Sequence, residues 1–178
     1  AERSIAIVRA IHKRVAGVTA TGQPYRASDP ELLMWVHVAE IDSFLVCHQA
    51  FGGDRLTTAE QDEYVRQTGF VAAQLGVVDP PQTRAELDAL LSSYRPGLRS
   101  SVQAEEAAEL LLKDPPLPGA AKIGYAALAA GAVSVLPPWV RAELRLPTLP
   151  VTDRLIARPL ARSALGAIRW ALAGETSV

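Results

Sequence analysis

Residues 28–53 read SDPELLMWVHVAEIDSFLVCHQAFGG, and this stretch decides the fold. Ser28 and Glu31 have capping-box spacing, and Pro30 stands in what becomes the first helical turn. Gly52-Gly53 supplies the stop. Between these signals apolar residues fall on nearly every side, so the pattern predicts a long helix over 30–51, buried all round at the centre of the molecule.

Outward from this helix the same period recurs. Ile5, Val8, Ile11, His12 and Val15 follow i, i+3, i+4, i+7 spacing and predict a first helix with one buried stripe, stopped at Gly17. Residues 18–27, with Gly22 and Pro24, read as an irregular loop or a short extended piece. Thr57 and Glu60 form a second capping box before a helix ending near Gly76, and Thr83 and Glu86 a third before a helix to about Tyr94. A helix over 102–113 ends at Pro115, Pro116 and Pro118. An alanine-rich, buried helix follows over 120–136, then a short one over 138–144. The last helix, over 152–173, is expected to kink at Pro159. No segment alternates as a half-buried strand does, and no fixed-period repeat occurs. The expectation is an all-α fold: one domain over 1–178, with about seven or eight helices around 30–51.

Composition narrows the functional classes. With 178 residues, 49% apolar and 21% charged, the chain can bury a sizeable core. A net charge of −1 gives no pull on nucleic acid. The one cysteine, Cys47, rules out an internal disulfide framework and points to a reducing, cytoplasmic compartment. No signal-peptide pattern is visible, and the apolar run 123–136 is too short to span a bilayer. Six arginines, Arg141, Arg145, Arg154, Arg158, Arg162 and Arg169, gather toward the end. They read first as a solvated face and leave association with a membrane surface or a partner open.

Walker, G-x-G-x-x-G, G-x-S-x-G and H-E-x-x-H patterns are all missing, so nucleotide binding and serine hydrolysis have no support. Chemistry falls to the histidines. His12 lies on the apolar stripe of the first helix, with Arg9 one turn before it. An imidazole there can ligate iron, and the guanidinium can hold a carboxylate; a satisfied core histidine accounts for the same spacing. His37, Ile41, Phe44 and His48 share one stripe of the central helix, and Glu40 stands at i+3 from His37. His37 with Glu40 permits a metal site, or else a buried polar cluster of His37, Glu40 and Asp42 bonded to Arg or Tyr. Trp35 and Tyr25 are either pocket walls or plain core.

The run Val8-Arg9-x-x-His12, then Gly22-x-x-Tyr25-x-Ala27-x-Asp29-Pro30, then Leu33-x-Trp35-Val36-His37, resembles the oxygenase family that includes the MpaB-type proteins and the latex clearing protein, a rubber oxygenase. Residues 56–77 and 135–147 also look like this family. The resemblance implies a helical fold holding haem b. It makes His12 the axial ligand and metal-binding residue, and Arg9 a propionate holder that also orients the ligands. His37 would support the ligand or stand near the haem, with Trp35 and Tyr25 at the cofactor pocket. It further implies dioxygen and an apolar, isoprenoid-like substrate. Typical members carry an earlier helical region with a Gln-x-x-His-Pro-like motif that this sequence lacks. The chain therefore matches the carboxy-terminal part of the usual domain, and an amino-terminal segment is expected to complete the site. Two alternatives stay open: a non-enzymatic lipid- or partner-binding helical protein, and a non-haem metal oxygenase using His12, His37 and Glu40.

Overall fold

The computed structural model describes residues 2–19 and 21–175; Ala20, inside the expected loop over 18–27, and the two chain ends lie outside them. The fold is all-α, as the periodicity predicts. Among the described residues eight helices have six or more residues, and the only sheet is a two-stranded ribbon. The chain divides into two compact units, residues 1–49 with 54–98, and residues 50–53 with 99–178.

The first unit holds α1 (Glu2–His12), β1 (Ala16–Val18), β2 (Pro24–Arg26), nearly all of α2 (Pro30–Phe51), α3 (Thr58–Leu75) and α4 (Arg84–Tyr94), closed by a 3-10 turn at Arg95–Gly97. Its core is a stripe of α2, Val38, Ile41 and Leu45, meeting Val65 of α3 and Leu87 of α4, with Met34, Trp35, Tyr64 and Tyr94 around it. The expectation that α2 is buried all round is corrected. Only one face is covered, and Val36 and Phe44 remain 59% and 55% exposed.

One of the predicted caps is built as read. Thr57 Oγ1 accepts from Glu60 N–H while Glu60 Oε2 accepts from Thr57 N–H at 2.8 Å. At Thr83 only half of the predicted box forms: Thr83 Oγ1 accepts from Glu86 N–H at 3.2 Å, while Glu86 Oε2 accepts from Gln82 N–H at 2.7 Å instead of from Thr83. The box expected at Ser28 is displaced: α2 starts at Pro30, and Asp29 before it accepts from Arg26 N–H at 2.7 Å. That bond ties the helix entrance to the ribbon instead.

The ribbon corrects the reading of Gly17 as a helix stop. The first helix already ends at His12, and Gly17 pairs with Tyr25 across the antiparallel strands. A Cβ at Gly17 would come within 2.8 Å of the Tyr25 hydroxyl, so the tyrosine ring needs a glycine beneath it. The turn is made at Gly22, with φ of 83°. The buried stripe of α1 is also narrower than expected. Ile5, Val8 and His12 are half-buried, while Ile11 and Val15 are exposed. A lone helix resting on α3 can cover only one narrow strip.

The second unit holds α5 (Val102–Lys113), α6 (Gly119–Val135), α7 (Pro138–Glu143) and a final helical run of α8 (Pro150–Thr152), a π turn (Asp153–Ala157) and α9 (Arg158–Glu175). The π turn is the structure's answer to Pro159. Proline has no N–H for the Leu155 carbonyl, and its ring would strike that carbonyl in a regular helix. The wider turn, with Arg158 N–H reaching back to Asp153 O, absorbs it. Among the described side-chain positions of α6 only Gly131 and Ser134 are buried, and Ile123 is 79% exposed, so this helix is not the buried one expected.

The arginines near the end are structural in large part. Arg162 donates to Ala50 O at 2.9 Å and Arg169 to Phe51 O at 3.2 Å, satisfying carbonyls that the end of α2 leaves without helical donors. Arg158 donates to Ser134 O at 3.0 Å. Arg141 is buried against Asp153 at 2.6 Å and also donates to Pro147 O. No described helix is long and apolar enough to cross a membrane.

Candidate functional site

The last turn of α1 brings Arg9, His12 and the following Lys13 onto one face at i, i+3 and i+4. That face lines a cleft of about 190 Å³ in the first unit, with Ser28, Leu33, Leu75 and Gly76 on the other sides. Arg9 Nη1 donates to Gln74 O at 3.3 Å, which fixes α1 against the end of α3. Gly76 ends α3 with φ of 111°, and a Cβ there would lie 3.3 Å from Leu33 Cδ1. A residue free of Cβ thus lets Leu33 close the cleft floor.

His12 Nδ1 is buried and has no hydrogen-bond partner. Buried ring nitrogens are nearly always satisfied, so this unpartnered atom makes His12 the candidate ligand-holding residue of the cleft. His37 Nε2 is a second buried nitrogen without a partner, and desolvation lowers the proton affinity of this 8%-exposed imidazole. His37 stands one turn beyond Leu33 on α2 and is not among the residues lining the cleft.

The other candidates are engaged elsewhere. The Trp35 ring packs at 5.4 Å and 58° from the Tyr94 ring, against the core of the first unit. Tyr25 covers Gly17 in the ribbon. Neither lines the cleft. The expected polar cluster does not assemble. Asp42 pairs with Arg84 at 2.7 Å, and Glu40 is exposed. Burial and then the charge of Glu40 push the Tyr64 phenol upward. His48 Nε2 lies 3.1 Å from Asp54 O at the exposed end of α2. Cys47 is half-buried, and burial raises its thiol.

Among the described residues no three His, Cys, Asp or Glu side chains gather as a metal-binding group. The set His12, His37 and Glu40 therefore gains nothing as a non-haem centre. A single imidazole ligand beside cations needs no such group. Lys13 and Ser28 were missed as cleft residues. The signal for Lys13 was available, since it follows His12 and stands one turn from Arg9. Ser28 reaches the cleft only through the ribbon, which no local pattern announces.

A family model described as "ER-bound oxygenase mpaB/B'/Rubber oxygenase, catalytic domain" matches residues 1–170. No curated protein and no solved structure matches the chain.

Proposed function

The chain belongs to this family of mpaB/B' and rubber oxygenase catalytic domains, and from that membership we propose that it is a haem b-dependent oxygenase acting with dioxygen on an apolar, isoprenoid-like substrate. The observation that carries the haem reading is the buried, unpartnered Nδ1 of His12 in a cleft flanked by Arg9 and Lys13.

The residues present fit such a group in their chemistry. His12 offers an imidazole free to ligate, and its ring is held by the packing of α1 on α3. Arg9 and Lys13 offer a guanidinium and an ammonium to the carboxylates of a haem edge. When bound, the haem supplies dioxygen binding and activation. Leu33 and Leu75 exclude water from the apolar side of the cleft. His37, one turn beyond Leu33 on α2, stands behind the cleft wall, and its burial disfavours a positive charge there. Trp35 and Tyr25 act through packing, Trp35 by fixing α2 to Tyr94 and Tyr25 by fixing the ribbon that delivers Ser28.

The test is the absorption spectrum of the purified protein with and without added haemin. A Soret band in the wild type and in His48→Ala, lost in His12→Ala, is the expected result. Equal haem content in wild type and His12→Ala would overturn the assignment.

A further inference from the structure

A cavity of about 580 Å³ in the second unit is built wholly from residues of that unit. One wall is a face of α6, Ala126, Ala129, Ala130 and Val133, at i, i+3, i+4 and i+7. The facing wall is Ala108 and Leu112 of α5, one turn apart. Leu146 and Ala157 close the third side. The space stays open because the alanine side chains that line it are too short to fill the gap between α5 and α6. Its size lies within the roughly 300–1,000 Å³ typical of small-molecule sites.

The rim decides the class of occupant. Three carboxylates, Glu105, Glu109 and Asp153, and two cations, Lys113 and Arg145, border the cavity. Each is already engaged inside the protein: Glu109 with Lys113 at 2.6 Å, Asp153 with buried Arg141 at 2.6 Å, and Glu105 with Arg145 at 3.4 Å. An anionic head group would meet three carboxylates against two cations, and Lys113 is already held by Glu109 at 2.6 Å. A neutral chain asks for no counter-charge.

Two departures from regular helix also fall on this wall. Asp153 and Ala157 belong to the π turn that accommodates Pro159. Arg145 at the rim has φ of 53°, where glycine is usual. We propose that this cavity is a binding site for one neutral hydrocarbon chain, with discrimination against the same chain bearing a carboxylate. The site does not depend on whether His12 holds haem, because no lining residue belongs to the first unit.

The test uses 1,6-diphenylhexatriene, a neutral apolar fluorophore, with the full chain and no added haemin. Emission should rise on binding, and hexadecanol should displace the probe about tenfold more effectively than palmitate, which has the same chain length. Ala129→Phe and Ala108→Phe fill the cavity from opposite walls and should each weaken probe binding by about tenfold or more. Ile123→Ser alters an exposed residue of α6 outside the cavity and should leave binding unchanged. Far-UV circular dichroism and thermal melting confirm that each variant folds; if neither filled variant folds, the alcohol-to-acid ratio in the wild type decides. No rise in emission, equal binding by folded filled variants, or equal displacement by palmitate and hexadecanol would each overturn the proposal.

Discussion

Gly131 of α6 and Ala161 of α9 meet so closely that a methyl group on Gly131 would collide with the Ala161 methyl, with Phe51 Cζ only 3.4 Å away. This contact holds the second unit's longest helices together. Gly131→Ala gains about 1 kcal/mol of helix propensity. It also forces a methyl-on-methyl collision between two helices, at the upper end of the usual overpacking cost, about 2–3 kcal/mol. The net expectation is a loss of about 1–2 kcal/mol, read from urea unfolding of the second unit. Adding Ala161→Gly should restore part of it, because the second change reopens the space that the first fills. An unchanged midpoint in the single variant would contradict the contact.

Arg145 ends α7 in a Schellman arrangement. Leu146 N–H donates to Arg141 O at 2.7 Å and Arg145 N–H to Ala142 O at 3.2 Å, with Arg145 itself at φ of 53°. This geometry favours glycine, and a side chain there costs about 1 kcal/mol. Arg145→Gly should therefore stabilise the protein by about 0.5–1 kcal/mol. The lost contact to Glu105 is long and mostly solvent-exposed, so it offsets little. A calorimetric melt compares the two proteins, and a lower melting temperature would mean that the Glu105 contact outweighs backbone strain.

What the sequence revealed and what it hid divide along the range of the interactions. The Thr57–Glu60 box, the Gly76 stop and the helix over 102–113 depend on neighbours three or four residues away, and a 3.6-residue period exposes them. The ribbon at 16–18 and 24–26 was hidden because three-residue strands are too short to show alternation, and its glycine is explained only by the ring of Tyr25. The exposed face of α2 was hidden because hydropathy reports what can be buried, while coverage depends on which helices arrive. At the site, Arg9 and His12 were legible as a pair one turn apart, and both line the cleft. Trp35 looked like a pocket wall because nothing near it in sequence announces Tyr94. The alanine-walled cavity was hidden because alanine at i, i+3, i+4 reads as tight packing, and only the position of α5 reveals the gap.

Arg84 joins three helices. Its guanidinium reaches Asp42 of α2 at 2.7 Å and Asp88 of α4 at 2.6 Å, and its backbone N–H donates to Asp62 of α3 at 2.7 Å. The Arg84 and Asp42 side chains are 24% and 23% exposed, so the pair is partly desolvated. Arg84→Met leaves Asp42 without its cation and should cost about 1–3 kcal/mol, below the range for a fully buried pair. Asp42→Asn in the Arg84→Met background should cost less than in the wild type, giving a coupling energy of about 1 kcal/mol in a double-mutant cycle. Additive losses would show that the two side chains do not interact in solution.

His37 sets a pH dependence with a definite sign. Desolvation lowers its folded-state pKa below the ordinary 6.5, while in the unfolded chain the imidazole titrates near that ordinary value. Between the two values the unfolded state binds more protons than the native state, so stability rises with pH there. The contribution is complete above about 6.5 and is lost as the pH falls toward and through the folded value. One group can change stability by at most about 1.4 kcal/mol per pH unit. Carboxylates held low by their partners, among them Glu63 at about 2, act in a more acidic range and leave the window from 7 to 5.5 to histidine. Urea unfolding at pH 7.0 and 5.5 should show wild type losing stability and His37→Gln losing distinctly less. Equal losses in the two proteins would mean that His37 takes up its proton as readily in the native state as in the unfolded chain, and that its Nε2 is not sealed from water.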